Sequence, residues 1–182
     1  MREDYFDTSV PTDPYGFSKY ICAKYIARSE RIVELRLFGV FGKYEDYTIR
    51  FISNACCRAL KGLPIVIRQD VVFDYPYVND LAKITDWFVS HEPHYKAYNV
   101  SSGAGVALMK LAQIDAEVSG RNPEVIVTTG GLAPGYTADN ALLLSEIDGY
   151  AFLKMPACIE ELYKWCLGQE GNIDRESLRF DE

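Results

Sequence analysis

Helix signals and strand signals alternate along almost the whole chain, and this alternation constrains the fold more than any other feature of the sequence. Helical spacing of apolar residues predicts helices at 13–29, 47–61, 77–90, 108–118, 140–147 and 156–167. Short runs rich in β-branched and aromatic residues predict strands at 31–38, 65–68, 71–75, 97–100 and 125–128. Such alternation is typical of the α/β class.

Two stretches are predicted to lie outside the parallel part of the sheet. Gln69-Asp70 separates two short apolar runs, which predicts a hairpin-like unit. Gly130-Gly131 and Pro134-Gly135 predict a mobile or turn-rich loop after the last strand.

In the helix that starts near residue 77, Asn79 is a candidate cap and Asp80 is placed to favour the helix dipole.

Length and charge exclude several classes of protein. A chain of 182 residues suits one domain or about one and a half. The net charge of −7 argues against nucleic acid as the main partner, because phosphate binding requires a basic surface. No apolar run has the length of about 18 residues that a membrane span needs, and the first four residues do not form a secretory leader. We therefore expect a cytoplasmic protein that binds no membrane.

The cysteines and histidines do not predict a metal site. The five cysteines form neither an even disulfide framework nor a Cys-x-x-Cys pattern, which favours reduced, buried thiols. His91 and His94 flank Pro93, which breaks a helix, and no cluster of acids joins them. A solvated loop is the favoured interpretation of this segment.

The start of the first helix contains a candidate proton-transfer pair. Asp13 can cap the helix and Pro14 suits its first position, so that Tyr15 and Lys19 lie one turn apart on one face. A phenol is a poor base at neutral pH, and an ammonium held beside it favours the phenolate form. The alternative is an ordinary pair of side chains on the surface of an amphipathic helix.

Spacing alone does not identify this pair. Tyr20 and Lys24 share the spacing of four residues, and so do Tyr150 and Lys154, in a chain with 13 tyrosines. What distinguishes the first pair is its context, since it lies at a capped helix start that also contains Gly16 and Ser18.

Two glycines follow the first predicted strand. Gly39 and Gly42 lie at its carboxyl end, where ligands of α/β proteins bind and where glycine lets a ligand approach the backbone closely. Two turn glycines without a ligand are the alternative.

Four stretches together resemble a known family. They are 14–19 (PYGFSK), 35–42 (LRLFGVFG), 74–82 (DYPYVNDLA) and 98–103 (YNVSSG). In this order and rough spacing they resemble the extended short-chain dehydrogenase/reductases, in particular their NAD-dependent nucleotide-sugar epimerase and dehydratase branch. The resemblance covers nearly the whole chain.

The resemblance implies roles for individual residues. Tyr15 would be the acid/base, Lys19 would bind the nicotinamide ribose and favour the phenolate, and Phe38 would contact the nicotinamide through its backbone. Gly39 would occupy the position of a substrate-binding asparagine. The implied reaction begins with hydride transfer from a sugar carbon to NAD or NADP, and epimerisation, dehydration or reduction follows.

The resemblance is to the carboxyl-terminal half of such an enzyme. The glycine-rich dinucleotide fingerprint and the catalytic serine or threonine that precede the tyrosine in the family are not in this sequence. The expected fold is a partial Rossmann-like parallel sheet with a small α/β substrate-binding subdomain within about 43–182, and the catalytic helix at 13–29. We expect that the isolated chain neither binds NAD(P) tightly nor turns over substrate.

The substrate side departs from the family pattern. Phe73 and Tyr136 stand where many relatives have an arginine, the latter three residues before Asp139. Arg50 and Arg68 are candidate replacements for these cations, and a solvated surface arginine is the alternative for each. Asp139 is a further candidate for substrate binding, by resemblance to the family. The family implies a UDP-, GDP-, CDP- or dTDP-sugar as substrate, and a substrate with less phosphate is the alternative.

Two hypotheses follow for the function. The first is a partial NAD(P)-dependent nucleotide-sugar epimerase/dehydratase. The second is a non-catalytic assembly or ligand-binding module that retains the substrate half of the family, and a homodimer is expected in either case.

Overall fold

Two separate β-sheets and six α-helices make up the fold in the computed structural model, which describes residues 1–178. The helices are α1 Pro14–Ile26, α2 Phe51–Leu60, α3 Val78–Ser90, α4 Leu108–Ser119, α5 Ala141–Glu146 and α6 Met155–Gly168. The strands are β1 Glu34–Leu37, β2 Ile65–Asp74, β3 Ala97–Val100, β4 Gly105–Ala107 and β5 Val125–Tyr136. Short 3-10 helices occupy Glu3–Asp7, Glu170–Asn172 and Glu176–Leu178.

The smaller sheet is a parallel pair formed by β1 and β3. Leu35 lies opposite Tyr98, and Leu37 lies opposite Val100. The two strands are joined by a long crossover, as parallel strands require. A core around Tyr98 and Val100 receives apolar side chains from α3 and α5, including Ile84 and Leu143. The helix–strand alternation of the sequence therefore produces an α/β unit here.

The second sheet has three strands in the order β4-β2-β5. The central strand, β2, pairs antiparallel with β4 and parallel with β5. The hairpin that the sequence predicted around Gln69-Asp70 is therefore wrong, because β2 runs unbroken through these residues. The carboxylate of Asp70 accepts hydrogen bonds from the backbone N–H groups of Val71 and Met109, both at 3.0 Å, so the polar residue is satisfied without a turn.

The loop expected after residue 128 is also absent, since β5 continues to Tyr136. Between Gln69/Asp70 of β2 and Thr129/Leu132 of β5 the register shifts, so that Gly130-Gly131 forms an irregularity within the strand and not a turn. Pro134 is tolerated because β5 lies at the edge of its sheet, where a missing N–H breaks no ladder.

The main hydrophobic core lies between α2, α4 and α6. Its fully buried members include Cys56, Leu60, Leu111 and Leu162. In contrast, α1 packs loosely, and Ala23 is its only buried residue.

The helices begin and end within a few residues of the predicted positions, but the residue that precedes α3 is not the predicted cap. Asn79 does not cap α3, whose N-cap is Tyr77; its side-chain amide instead donates to Glu161 on α6, at 3.1 Å. The carboxylate of Asp80, in the first turn, accepts a hydrogen bond from the hydroxyl of Tyr150 at 2.6 Å. Within residues 1–178, no helix combines the length and apolar character that crossing a membrane requires.

Candidate active site

The first turn of α1 has the capped geometry that the sequence predicted. The side chain of Asp13 accepts a hydrogen bond from the backbone N–H of Gly16 at 2.7 Å, and Pro14 occupies the first helical position. Tyr15 follows with 74% of its surface exposed. The ammonium of Lys19 lies 5.4 Å from the centre of the Tyr15 ring. The two side chains are therefore neighbours on one face of the helix.

The other two tyrosine–lysine pairs have different surroundings. The ammonium of Lys24 lies over the Tyr20 ring at 5.3 Å, but it also forms an ion pair with Asp7, and Tyr20 stacks on Phe6. The third pair, Tyr150 and Lys154, precedes α6 and does not lie on a helix. The hydroxyl of Tyr150 donates to the buried carboxylate of Asp80. The three pairs therefore share their spacing but differ in their surroundings.

A cleft with a volume of about 620 Å³ lies beside Tyr15. This is within the range of ligand-binding pockets, which hold roughly 300–1,000 Å³. The cleft is lined by Tyr15, Leu37, Gly39, Val40, Phe41, Glu45, Ile49, Arg50, Phe51, Ile52, Phe73, Tyr75, Leu108 and Tyr136. The predicted site residues Tyr15, Gly39 and Arg50 are therefore brought together, with Lys19 adjacent to the first of them.

Gly39, two residues after β1, packs against the backbone at the end of β2. Gly39 has a φ of +38°, and a Cβ there would lie 2.3 Å from the carbonyl oxygen of Asp74. The Asp74 carboxylate is buried and accepts hydrogen bonds from the N–H and hydroxyl of Ser102, both at 2.7 Å, and from the N–H of Gly103 at 3.1 Å. This arrangement explains why glycine occupies position 39.

Phe38 lies next to the cleft. Its backbone N–H donates to the carbonyl of Val100 at 3.2 Å, which extends the ladder between β1 and β3. Its ring contacts that of Tyr136, with 5.9 Å between ring centres.

Four aromatic side chains line the cleft side by side and form what we call the aromatic wall: Phe41, Phe73, Tyr75 and Tyr136. Phe73 and Tyr136 are the closest pair, with ring centres 4.7 Å apart, and Tyr75 contacts both Phe73 and Phe41 edge-on. Burial raises the pKa of Tyr75 to about 12, with smaller contributions from Tyr136 and Glu45. Tyr75 is therefore a neutral phenol and a poor base at physiological pH.

Two charged residues line the cleft in the described part of the chain, Glu45 and Arg50. Burial raises the pKa of Glu45, and contacts with Ser53, the Gly42 backbone and Arg50 offset only part of that increase. Arg50 is exposed at the residue before α2, and it also lies near Asp46. Its positive charge lowers the pKa of both carboxylates, although it forms a salt bridge with neither among the described residues.

The remaining two predicted substrate residues do not line the cleft. Arg68 is exposed on β2, and its carbonyl accepts a hydrogen bond from Thr128. The carboxylate of Asp139 accepts from the N–H of Ala141 at 2.8 Å, at the start of α5, and its own N–H donates to Met1.

Sequence reasoning missed the aromatic wall and the cleft position of Glu45. Phe73 and Tyr136 were identified only as positions without arginine, and the predicted hairpin and loop separated them. Phe73 lies opposite Tyr136 where β2 pairs with β5. A prediction of this strand pair would have brought the two rings together.

Comparison with known families gives a match over more than half of the chain. A model described as the NAD dependent epimerase/dehydratase family matches residues 2–101 of the 182 residues.

Solved structures with a similar fold include three 4-epimerases. UDP-glucose 4-epimerase from Thermotoga maritima, solved with UDP-glucose, has a TM-score of 0.74 and 20% identity, covering 87% of this chain and 55% of that protein. UDP-glucuronic acid 4-epimerase from Bacillus cereus, in complex with NAD, has a TM-score of 0.71 and 16% identity, covering 92% and 56%. UDP-N-acetylglucosamine 4-epimerase from Methanobrevibacter ruminantium, in complex with UDP-N-acetylmuramic acid, has a TM-score of 0.71 and 24% identity, covering 87% and 55%.

These similarities confirm the α/β class that the sequence predicted. The chain spans 55–56% of the length of these three proteins.

Proposed function

The chain belongs to the NAD-dependent epimerase/dehydratase family, and from this membership we propose that it contributes the proton-transfer half of a redox site that acts on a sugar hydroxyl. The Rossmann-like fold of its structural neighbours supports the same proposal. The reaction class is NAD(P)-linked epimerisation, dehydration or reduction of a nucleotide sugar.

One observation carries the proposal. Tyr15 lines the same cleft as Gly39 at the end of β1, and the ammonium of Lys19 lies 5.4 Å from its ring. Neither Tyr20 nor Tyr150, which share the spacing to a lysine, lines this cleft. The position of Tyr15, and not its spacing, therefore makes it the candidate base.

In the proposed mechanism, the Tyr15 phenolate accepts the proton of a substrate hydroxyl bound in the cleft. The ammonium of Lys19, 5.4 Å from the centre of the Tyr15 ring, is placed to stabilise negative charge that develops beside it in the reaction. NAD or NADP, when bound, would supply the hydride acceptor. Tyr75 stays protonated because burial raises its pKa to about 12, so it does not compete for the proton.

The described residues fit the nicotinamide end of such a cofactor. Lys19 is exposed, and apart from the Tyr15 ring the structure gives it no hydrogen bond or ion pair, so its ammonium is free to donate to ribose hydroxyls. Phe38 would present its backbone beside the cleft. That the isolated chain binds NAD(P) only weakly stays a prediction.

For substrate binding, we propose that Gly39 admits the sugar to the end of β1 and that Arg50 is the cation nearest to its charged groups. Arg68 and Asp139 lie away from the cleft, so a contact with substrate would require a ligand that extends beyond it. A second copy of the chain is the proposed partner, because Phe17 and Ile21 are exposed on α1. Sedimentation of the protein as a monomer would exclude this partner.

Substitution of the tyrosine tests the function. In the native polypeptide that carries this chain, Tyr15→Phe should lower turnover of UDP-glucose with NAD by about 10²-fold or more, because general acid–base catalysis contributes about 10²–10⁴-fold. The NAD dissociation constant should stay within about threefold, a difference of less than about 1 kcal/mol. The matched control is Tyr25→Phe, which removes a hydroxyl of similar exposure from the same helix, outside the cleft.

Wild-type turnover in Tyr15→Phe would dismiss Tyr15 as the base. An absence of turnover in the wild type would favour the second candidate, a non-catalytic assembly or ligand-binding module. The observation that favours this module is the exposed apolar face of α1.

A further inference from the structure

A carboxylate is built into the side of the cleft. Glu45 lines the same space as Tyr15 and Gly39. It lies in the segment between β1 and α2, and its side chain is half-buried. Burial raises its pKa, and contacts with Ser53 of α2 and with the backbone of Gly42 offset only part of that rise. The folded chain therefore holds an acidic group beside the candidate base.

The negative charge of Glu45 acts within the cleft. Burial is the main reason why the pKa of Tyr75 is raised, and Tyr136 and Glu45 make smaller contributions in the same direction. Arg50, an exposed cation that also lines the cleft, lowers the pKa of Glu45. Solvent screens half-buried charges less than exposed ones. A ligand group beside Glu45 is therefore subject to a negative field that water screens only in part.

We infer that Glu45 makes the cleft selective for nucleotide sugars whose sugar ring carries no carboxylate. This rests on the proposed function, in that the cleft beside Tyr15 is taken as the substrate site. Glu45 determines specificity in this inference and takes no part in the proton transfer assigned to Tyr15.

The physical basis is repulsion between like charges. If a sugar carboxylate lies beside Glu45, either both groups stay ionised and repel each other or one of them takes up a proton, and both outcomes cost free energy. A hydroxymethyl group at the same position carries no charge, and its hydroxyl can donate to a carboxylate. Specificity that arises from an unfavourable contact with the wrong ligand is common in proteins.

Two ligands that differ only at C6 of the sugar test the inference. UDP-glucose has a hydroxymethyl group at this carbon and UDP-glucuronate has a carboxylate, so contributions of the shared diphosphate and uridine cancel in the ratio of their dissociation constants. Calorimetric titration of the native polypeptide with bound NAD measures both constants. We expect the wild type to bind UDP-glucose about tenfold more tightly than UDP-glucuronate.

Substitution of Glu45 should remove this preference. Glu45→Gln keeps the size of the side chain and removes its charge, so we expect the two dissociation constants to agree within about twofold, chiefly because UDP-glucuronate binds more tightly. UDP-glucose affinity should stay within about threefold of the wild type, which shows that the cleft is intact. Glu45→Asp keeps the charge and should retain a preference of about fivefold or more.

The matched control is Asp46→Asn. Asp46 is the next residue along the chain, is exposed, and like Glu45 has its pKa lowered by Arg50, but it does not line the cleft. The variant therefore loses the same formal charge from the same loop. Its preference for UDP-glucose should stay within about twofold of the wild type.

Four outcomes overturn the inference. They are wild-type binding of UDP-glucuronate at least as tight as that of UDP-glucose, an unchanged preference in Glu45→Gln, loss of both ligands in Glu45→Gln, and an equal loss of preference in Asp46→Asn. The first would mean that Arg50 outweighs Glu45, and the last would assign the effect to net charge.

Failure of the proposed function has a different signature. Wild-type turnover in Tyr15→Phe rejects the function. An unchanged preference in Glu45→Gln, together with a loss of turnover in Tyr15→Phe, rejects only the selectivity.

Discussion

Gly39, two residues after β1, packs against the backbone at the end of β2. An alanine Cβ there would lie 2.3 Å from the Asp74 carbonyl oxygen, and the φ of +38° is unfavourable for any residue with a side chain. Gly62 is the matched control, because it has a φ of +64° but open space around its Cα.

We expect Gly62→Ala to lower the free energy of unfolding by about 1 kcal/mol, the cost of the backbone conformation alone. Gly39→Ala should cost about 2 kcal/mol more, since the collision with Asp74 adds to that strain. Urea denaturation of both variants measures the difference. Equal costs would show that the contact at the strand end is not the constraint.

At this scale, the sequence predicted the local geometry of single residues better than their surroundings. The cap by Asp13 and the proximity of Tyr15 and Lys19 follow from local helix geometry, and the structure confirms both. The positions of Arg68 and Asp139 depend on how β2 and α5 pack, which spacing along the chain does not encode.

Helix α4 carries a buried carboxylate into the main core. Asp115 is 1% exposed, and burial raises its pKa to about 6, with the Cys56 thiol offsetting only part of the effect. The folded protein therefore holds this proton more tightly than the unfolded chain, whose aspartate has a pKa of about 3.9. The contribution of Asp115 to stability is fully present below pH ~4 and is lost as the pH rises through about 6.

Asp115→Asn should remove this dependence. The difference of about two pKa units corresponds to about 3 kcal/mol, so we expect the variant to gain about 2 kcal/mol above pH ~7 and little below pH ~4. Denaturation across this pH range gives the measurement, and Glu117→Gln, an exposed acid on the same helix, is the control. A variant that tracks the wild type at every pH would show that Asp115 is not destabilising.

Most elements could be predicted from the sequence because helix periods and caps are local. The errors concern β2 and β5, where Gln69-Asp70 and Gly130-Gly131 have the composition of turns but lie within paired strands. The parallel pairing between strands about 60 residues apart supplies the partners that local composition does not show. The same error concealed the pairing of Phe73 with Tyr136, and with it the aromatic wall.

At the scale of the whole molecule, the two sheets place their strand ends around one cleft. The end of β1 contributes Gly39, β2 contributes Phe73 and β5 contributes Tyr136, while α1 brings Tyr15 to the same space. Family membership and this convergence are independent observations, one from the sequence and one from the packing. Both support the proposal that the cleft is the place of reaction.

Isotope transfer tests the central claim most directly. The native polypeptide that carries this chain is incubated with NAD and with UDP-glucose deuterated throughout its sugar ring, the reaction is stopped during turnover, and the reduced enzyme-bound cofactor is analysed by mass spectrometry. We predict deuterium on the nicotinamide ring with the wild type and with Tyr25→Phe, and a loss of that signal with Tyr15→Phe. Equal deuterium in Tyr15→Phe and wild type, or none in the wild type, would contradict the account.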